Sequence, residues 1–276
     1  MNRVNNCTNS KASKFQKLIY QHYEEQGRTL PWRTTRNPYY ILVSEIMLQQ
    51  TQVERVIDKY QKFIALFPDI ETLDRSPLRK ILSVWQGLGY NRRALALKKI
   101  ARIVIEECNG KIPRSLDELV KFPGIGQATA SEILAFAFNQ PTVFIETNIR
   151  SVFLYYFFPE RDDVSDDEIL PLVAKTVDRS NPRKWYYALM DYGTFLKRQY
   201  ANPNRKSTHY YKQSSFNGSN RQIRGKIVKY LTENQSGTGM QIAQDLQIPF
   251  EKAEHNFITL EKEGFLTRKG KRLTIT

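Results

Sequence analysis

The segment from Phe122 to Ala130, Phe-Pro-Gly-Ile-Gly-Gln-Ala-Thr-Ala, constrains the fold of this chain more than any other. Two glycines that flank Ile125 are typical of a tight hairpin between two helices, because glycine adopts turn conformations at little steric cost. Backbone N–H groups at the start of the second helix can bind a phosphate of DNA. Glu146 follows sixteen residues after Ala130 and would lie near the nucleotide that the hairpin binds. The pattern indicates an enzyme that acts on DNA.

The charge of the chain favours a polyanionic partner. Its 276 residues include 42 Lys and Arg against 28 Asp and Glu, a formal net charge of +14, which suits DNA, RNA or an anionic membrane. We find no apolar run long enough to span a membrane, and residues 1–20 are too polar for a signal peptide, so we expect a cytoplasmic, nucleoid-associated protein without a membrane partner. Cys7 and Cys108 cannot supply a four-cysteine cluster, and the histidines lack metal-ligand spacing. We therefore expect no cofactor and no metal.

Hydrophobic periodicity predicts an all-α protein with a small C-terminal domain. Helical segments are predicted at roughly 41–49, 52–66, 69–73, 77–84, 91–109, 115–120, 126–138, 148–157, 165–178 and 182–197. Residues 1–12 are predicted to be disordered, 13–197 to form the main domain and 198–220 a basic, tyrosine-rich linker. Residues 221–276 have the pattern of a winged helix-turn-helix, with three helices and a basic hairpin that turns at Lys269-Gly270. Such a module can bind DNA without sequence preference or dock a protein partner.

The helical segment Ser44–Gln52 carries an unusual set of side chains. Its spacing places Glu45, Leu48, Gln49 and Gln52 on one helical face. The amides can bond to base edges, and Leu48 together with Gln50 can wedge into a base step. An amphipathic surface helix is the alternative interpretation.

A second segment, Trp85-Gln-Gly-Leu-Gly-Tyr-Asn-Arg-Arg93, is a glycine-rich turn that leads into a basic helix. Tyr90 can stack on a base, while Arg92 and Arg93 can hold phosphates. The alternative is a solvated helix start, but the glycines favour close approach of a partner to the backbone.

Two acids in the chain can divide the work of base removal. One of Glu45 and Glu146 would protonate a leaving base, and the other would stabilise a sugar cation or orient water that Asn148 positions. The alternative for Glu146 is helix capping or an ion pair with Arg150, four residues later.

From about Leu30 to Lys197 the chain resembles the helix-hairpin-helix (HhH-GPD) DNA glycosylases, the superfamily of endonuclease III, and within it the adenine glycosylases that act opposite oxidised guanine. The matching strings are Leu30-Pro-Trp-Arg33, Ser44-Glu-Ile-Met-Leu-Gln-Gln-Thr-Gln-Val53, Trp85-Gln-Gly-Leu-Gly-Tyr90, Phe122-Pro-Gly-Ile-Gly126 and Ala188-Leu-Met-Asp-Tyr-Gly193. The resemblance implies an all-helical fold of two lobes, with a middle lobe of about 31–140. It also implies DNA bound across the cleft and a target base flipped into it.

The resemblance also implies roles for individual residues. Glu45 matches the acid that protonates the excised base, and Asn148 matches a polar residue beside the reacting sugar. Leu48 and Gln50 match residues that invade the base stack, and Tyr90 matches an aromatic wedge. The full set of predicted DNA contacts is Arg33, Leu48, Gln49, Gln50, Tyr90, Arg92, Gly124, Gly126, Gln127 and Thr129.

Four departures from the family pattern refine the expected reaction. Glu146 stands where the family has its catalytic aspartate, and Thr147 where glycine is usual. Ala128 replaces the lysine with which bifunctional relatives form a Schiff base, which implies hydrolysis that leaves an abasic site. Residues 198–215 contain no cysteines for an iron–sulfur cluster, and the predicted winged helix-turn-helix of residues 221–276 stands in place of the domain with which the adenine glycosylases recognise oxidised guanine.

We therefore expect a monofunctional, monomeric DNA glycosylase that acts on double-stranded DNA with a mismatched or damaged base. Adenine opposite oxidised guanine or guanine is the leading substrate, and thymine or uracil opposite guanine is next. The alternative is a catalytically inactive protein that recognises distorted DNA.

Overall fold

Helices predominate in the computed structural model, which describes residues 2–211, 216 and 218–276, with side chains from residue 11 onward. The helices are α1 (Asn2–Gln26), α2 (Pro38–Leu48), α3 (Val53–Leu66), α4 (Ile70–Arg75), α5 (Leu78–Trp85), α6 (Arg92–Glu107), α7 (Leu116–Leu119), α8 (Gln127–Phe138), α9 (Thr147–Phe157), α10 (Asp166–Thr176), α11 (Pro182–Gln199), α12 (Asn220–Asn234), α13 (Gly239–Asp245) and α14 (Phe250–Glu263). The strands are β1 (Ser236–Thr238), β2 (Leu266–Lys269) and β3 (Arg272–Ile275). The helices predicted from the sequence are confirmed, with ends that shift by at most three residues. None of the helices in the described ranges has the length and apolar character to cross a membrane.

The chain folds into two compact units. The first consists of Met1–Ile41, Arg114–Lys121 and Ile125–Lys212, and the second of Leu42–Pro113, Phe122–Gly124 and Gln213–Thr276. The predicted middle lobe of residues 31–140 therefore needs a correction, because both of its ends pack within the first unit.

Helix α11 organises the first unit and packs against α1 and α9. Asn181 caps its start by accepting a hydrogen bond from the backbone N–H of Lys184, and Pro182 occupies its first turn. Trp185 is fully buried, and its ring meets the ring of Phe15 edge to face at 5.9 Å. Aromatic packing between the helices thus holds α11 in place.

In the second unit, α6 packs against α4 and α5. Its buried residues Leu97, Ile100, Ala101 and Val104 recur at the spacing of a helix face. Asp69 starts α4 as an N-cap that accepts a hydrogen bond from the backbone N–H of Thr72.

The C-terminal part of the second unit has the three helices and the hairpin that the sequence predicts. Helices α12, α13 and α14 accompany a three-stranded antiparallel sheet with the order β1-β3-β2. The hairpin turn lies where it was expected, with Gly270 at φ +59° between β2 and β3. Strand β1 is not predicted from the sequence, because its three residues are too few to show a strand pattern. We call residues 218–276 the C-terminal module.

Two segments differ from the sequence prediction. Residues 1–12 were expected to be disordered, but α1 begins at Asn2, since no glycine or proline interrupts the chain before Gly27. The first part of the predicted linker at 198–220 is packed rather than irregular. Pro203–Lys206 form a 3-10 turn in which Pro203 and Asn204 are buried, and Ser207 forms a β-bridge with Val164. Residues 212–215 and 217 of that linker lie outside the described residues.

Candidate functional site

Glu146, predicted as a catalytic acid, is the N-cap of α9 in the first unit. Its Oε1 accepts hydrogen bonds from the backbone N–H groups of Asn148 and Ile149, both at 2.8 Å. Its Oε2 accepts a third from the side-chain amide of Asn148 at 3.0 Å. These donors hold the carboxylate in one orientation at the start of α9. The alternative ion pair with Arg150 is absent, because Arg150 pairs with Asp166 at 2.6 Å.

Asn148, predicted to position water, is held between α9 and α11. Its amide donates to Glu146, and its Oδ1 accepts a hydrogen bond from the Thr194 hydroxyl at 3.4 Å. Gly193 lies against its backbone. On the other side of the turn, the Asn204 amide donates to the carbonyl of Thr147 at 2.8 Å. The structure thus brings Glu146 and Asn148 together in a turn fixed from two sides.

Lys197 lies near this turn, although no sequence pattern predicts a role for it. It lies on α11 one helical turn after Gly193, the residue that touches Asn148. Burial lowers the pKa of the Lys197 amine, and the charge of Glu146 opposes that decrease. A lysine beside a carboxylate is not detectable in the sequence, because 51 residues separate the two positions.

Glu45, the other predicted catalytic acid, lies on α2 in the second unit and is only 6% exposed. The Ser44 hydroxyl donates a hydrogen bond to its Oε1 at 3.1 Å. A carboxylate that is this deeply buried loses hydration energy, so such acids are rare outside functional sites and paired networks.

Helix α2 ends at Leu48, and the next residues form a turn rather than continuing the helix. Gln50 has φ +52° and an exposed side chain, whereas Leu48 and Gln49 are half-buried. Gln52 instead precedes α3 as its N-cap residue, which breaks the four-residue helical face predicted for this segment. A non-glycine residue at positive φ is strained, and such residues cluster at functional sites.

The turn Trp85–Tyr90 ends on a residue that is strained in the same way, Tyr90. Gly87 and Gly89 have φ +92° and +75°, and Tyr90 has φ +49°. The indole of Trp85 donates to the carbonyl of Gly89 at 3.1 Å, while the Tyr90 ring remains 36% exposed. Gln50 and Tyr90, both predicted to enter the base stack, therefore lie at the tips of two strained turns in the second unit.

Arg93 links these two turns and is not a phosphate contact, which corrects the sequence interpretation. Its guanidinium donates to the carbonyls of Met47 at 2.7 Å and Gln49 at 2.5 Å, and to those of Leu88 and Gly89 at 3.3 and 3.2 Å. Burial lowers the pKa of Arg93 to about 10, so the side chain stays charged at neutral pH. One buried cation thus satisfies carbonyls that both turns leave without helical partners.

The predicted hairpin divides between the two units. In the second unit, the Gln49 amide donates to the carbonyl of Gly124 at 3.1 Å, and Gly124 has φ +79°. In the first unit, Gly126 is the N-cap of α8, and Gly126 and Gln127 are exposed. Thr129, predicted to contact DNA, is buried, whereas the three residues before it are exposed.

Arg33 was also predicted to contact DNA, but it is a buried structural residue of the first unit. Its guanidinium donates to both carboxylate oxygens of Asp191 at 2.7 and 2.8 Å, and Arg28 donates to the same carboxylate. Burial opposes both charges. The hydrogen bonds and charge of Arg33 nevertheless hold the pKa of Asp191 below its usual value, and those of Asp191 raise the pKa of Arg33.

Arg92 is exposed and pairs with Glu263 of the C-terminal module at 2.5 Å. Arg224 binds the same carboxylate through both oxygens. Tyr90 accepts a hydrogen bond from Arg221 of that module at 3.2 Å. These contacts lie within the second unit and link the predicted wedge to residues that the sequence analysis left unassigned. Across the described part of the chain, no group of three His, Cys, Asp or Glu side chains is placed to hold a metal ion.

Comparison with known proteins gives concordant matches. Residues 43–174 match the family model described as HhH-GPD superfamily base excision DNA repair protein. The adenine DNA glycosylase of Buchnera aphidicola subsp. Baizongia pistaciae (strain Bp) is 42% identical over 187 residues, which cover 66% of this chain and 52% of that protein. The thymine/uracil-DNA glycosylase of Methanothermobacter thermautotrophicus is 28% identical over 196 residues, covering 70% of this chain and 89% of that protein.

A solved structure of a thermostable thymine-DNA glycosylase has a TM-score of 0.63 with 27% identity, and the match covers 72% of this chain and 93% of that one. The chain spans about half the length of the adenine DNA glycosylases it matches.

Proposed function

Because residues 43–174 match the family model described as HhH-GPD superfamily base excision DNA repair protein, we propose that this chain is a monofunctional DNA glycosylase. Its partner is double-stranded DNA that contains a mismatched or damaged base. The observation that carries the proposal is the burial of Glu45, which is 6% exposed in the unit that also holds the strained turns of Gln50 and Tyr90. A protein that only binds DNA has no need of a buried acid beside its binding turns.

Glu45 acts as the general acid. It donates a proton to the base as the bond between that base and C1′ of the sugar breaks, so that the base leaves neutral. The hydrogen bond from Ser44 orients the carboxyl group for this transfer.

Glu146 stabilises the positive charge that develops on the sugar as the base leaves. Its three hydrogen bonds fix the carboxylate, so no reorganisation is needed when the charge forms. The Glu146 side chain is longer than aspartate by one methylene, and its position as the N-cap accommodates this extra length. Asn148, held by Glu146 and Thr194, orients the water that adds to C1′.

The residue at position 128 supports hydrolysis without strand cleavage. Ala128 is exposed in the first turn of α8, where a lysine would be needed for a Schiff base with the sugar. The product is therefore an abasic site, and no covalent enzyme–DNA intermediate accumulates through this position.

Adenine opposite oxidised guanine or guanine is the first substrate we propose, since the relative with 42% identity is an adenine DNA glycosylase. Thymine or uracil opposite guanine is the second. The named thymine/uracil-DNA glycosylase favours it, because the matched region covers 89% of that protein.

A catalytically inactive protein that recognises distorted DNA is the alternative function. The capping role of Glu146 favours it, because both carboxylate oxygens already accept hydrogen bonds from the chain.

A base-release assay on end-labelled duplexes tests these proposals. The panel contains adenine opposite oxidised guanine, adenine opposite guanine, thymine or uracil opposite guanine, and hypoxanthine. We expect one duplex to be cut only after alkali, and borohydride to trap no covalent adduct. No base release from any of these duplexes, together with tight binding to them, would support the catalytically inactive DNA-binding protein instead.

Substitution of the proposed acid links the activity to this chain. Glu45→Gln should slow base release by about 100-fold or more while duplex binding is retained. Glu106→Gln, an exposed carboxylate of the same unit, serves as the matched control and should leave the rate unchanged. Full activity of the Glu45 variant would contradict the assignment of the acid.

A further inference from the structure

The C-terminal module packs against other helices of the second unit, so it is not joined to them by the linker alone. Helix α12 packs against α5, and each helix buries apolar residues, including Ile227 and Leu231 on α12 and Ile81 and Leu82 on α5. Arg79 of α5 donates through Nε to the carbonyl of Thr232 at 2.8 Å, near the end of α12. A cation at a helix C-terminus bonds carbonyls that lack helical partners and complements the helix dipole.

This packing brings a positively charged side chain of the C-terminal module into contact with Tyr90, at the end of the turn Trp85–Tyr90. Arg221, in the first turn of α12, donates a hydrogen bond from Nη1 to the Tyr90 hydroxyl at 3.2 Å. The Tyr90 backbone is at φ +49°, so the conformation that presents its ring depends on support from surrounding contacts. Arg93 provides such support by donating to the carbonyl of Gly89, and Arg221 provides it by donating to the hydroxyl of the Tyr90 ring.

The surface around Tyr90 is cationic. Arg92 and Arg224 share the single carboxylate of Glu263, so the cluster of Arg92, Arg221, Arg224 and Glu263 keeps a net positive charge. An exposed aromatic ring beside several guanidinium groups is the combination that binds nucleic acid, because the ring stacks on bases while the cations hold phosphates.

We propose that Tyr90 and Arg221 form one composite contact surface for duplex DNA beside the base that is removed, with the Tyr90 ring on the bases and Arg221 on the backbone. The inference rests on the proposed function and deepens it, since it gives the C-terminal module a DNA partner. Arg221 has two tasks in this surface. It holds the Tyr90 ring in place through the hydroxyl, and it binds a phosphate next to the step that the ring enters.

Binding of the full chain to a duplex with a tetrahydrofuran abasic analogue tests the surface without requiring catalysis. Fluorescence anisotropy at several salt concentrations gives both the affinity and its salt dependence. Arg221→Met should weaken binding about tenfold and reduce the slope of log K against log salt by about one, as expected for one lost phosphate contact. Lys226→Met removes an equal charge from an exposed position of the same helix and is the matched control.

Two further variants separate the tasks of Arg221. Arg221→Lys keeps the charge and should restore most of the salt slope. Tyr90→Phe keeps the ring but lacks the hydroxyl, so Arg221→Met should cost less affinity in this background than in the wild type. The proposal is overturned if Arg221→Met binds like the wild type, or no worse than Lys226→Met. A protein that binds the duplex through Arg221 but releases no base from any of the assayed duplexes would contradict the proposed function and leave the surface supported.

Discussion

Gly193 lies directly against Asn148 in the first unit. A Cβ on Gly193 would stand 2.4 Å from the carbonyl oxygen of Asn148 and 2.7 Å from its Cβ. Real Cβ atoms do not approach backbone atoms this closely, so glycine is required where α11 crosses the start of α9. The same crossing sets the position of the turn whose first residue, Glu146, is the proposed catalytic carboxylate.

Gly193→Ala should therefore destabilise the protein and abolish base release. The added methyl group must push α11 away from α9, which costs about 1–3 kcal/mol for an overpacked site and displaces Asn148. Urea unfolding of the variant gives the change in stability, and the duplex assay gives the loss of activity. Gly225→Ala is the matched control, because a Cβ there meets nothing within 4 Å and alanine favours the interior of α12. Wild-type stability of Gly193→Ala would contradict the close packing.

Arg93→Met should unfold the turns of Gln50 and Tyr90 in the second unit before it affects other parts of that unit. The variant leaves the carbonyls of Met47, Gln49, Leu88 and Gly89 without their shared donor, and we expect a loss of about 3 kcal/mol in stability. Affinity for the abasic duplex should fall with it. Arg92→Met, on the same helix as Arg93, removes an exposed ion pair with Glu263 and should lower the stability by less than about 1 kcal/mol. Equal losses of stability in the two variants would show that Arg93 contributes no more than an exposed surface cation does.

Glu146→Gln and Glu146→Asp separate the capping role from the charge. Glutamine retains an acceptor for the backbone N–H groups but presents an amide N–H₂ to the amide of Asn148, so we expect a loss of about 1 kcal/mol and no detectable base release. Aspartate keeps the charge and is a favourable N-cap, so stability and activity should both persist. Rates of base release from the duplex on which the wild type acts distinguish the two roles. An active Glu146→Gln variant would assign Glu146 to capping alone.

The helices were predictable because their breaks lie in the sequence itself. Pro68, Pro77 and the glycines of residues 87–89 mark the ends of helices in the second unit, and local chemistry of this kind needs no tertiary contact. The predicted resemblance to the HhH-GPD superfamily and the predominantly helical fold are likewise confirmed.

Two predicted DNA contacts were wrong for a physical reason that sequence patterns do not reveal. Arg33 and Arg93 stand beside motif residues, so their charge suggested a phosphate. Arg33 instead meets Asp191, a residue 158 positions away, and Arg93 meets backbone carbonyls of a turn more than forty positions earlier. The burial of a cation depends on such distant partners. The positions of Lys197 and Arg221 could not be predicted for the same reason, because their partners are also distant in the sequence. The N-cap at Glu146 could be predicted, because its partners are the next residues.

The attachment of the C-terminal module should weaken in acid. Burial opposes ionisation of Glu263, but hydrogen bonds from Arg224 and Arg92 and their charges hold its pKa at about 2, below the ordinary value of 4.5. A carboxyl with a lowered pKa in the folded protein adds stability above pH 4.5, and this contribution disappears as the pH falls from 4.5 towards about 2. Because Arg92 is largely exposed to solvent, we expect a contribution of about 2 kcal/mol at neutral pH.

Urea unfolding of the wild type and of Glu263→Gln at a series of pH values from 7 to 3 measures this contribution. Other carboxyls with lowered pKa values, such as Asp191, titrate in both proteins, so the difference between the two curves isolates Glu263. We expect the wild type to be more stable at neutral pH and the two curves to converge below pH 4.5. Parallel curves across the whole range would show that Glu263 adds nothing to the docking of α12 and α14, and that Arg92 and Arg224 hold the module by other contacts.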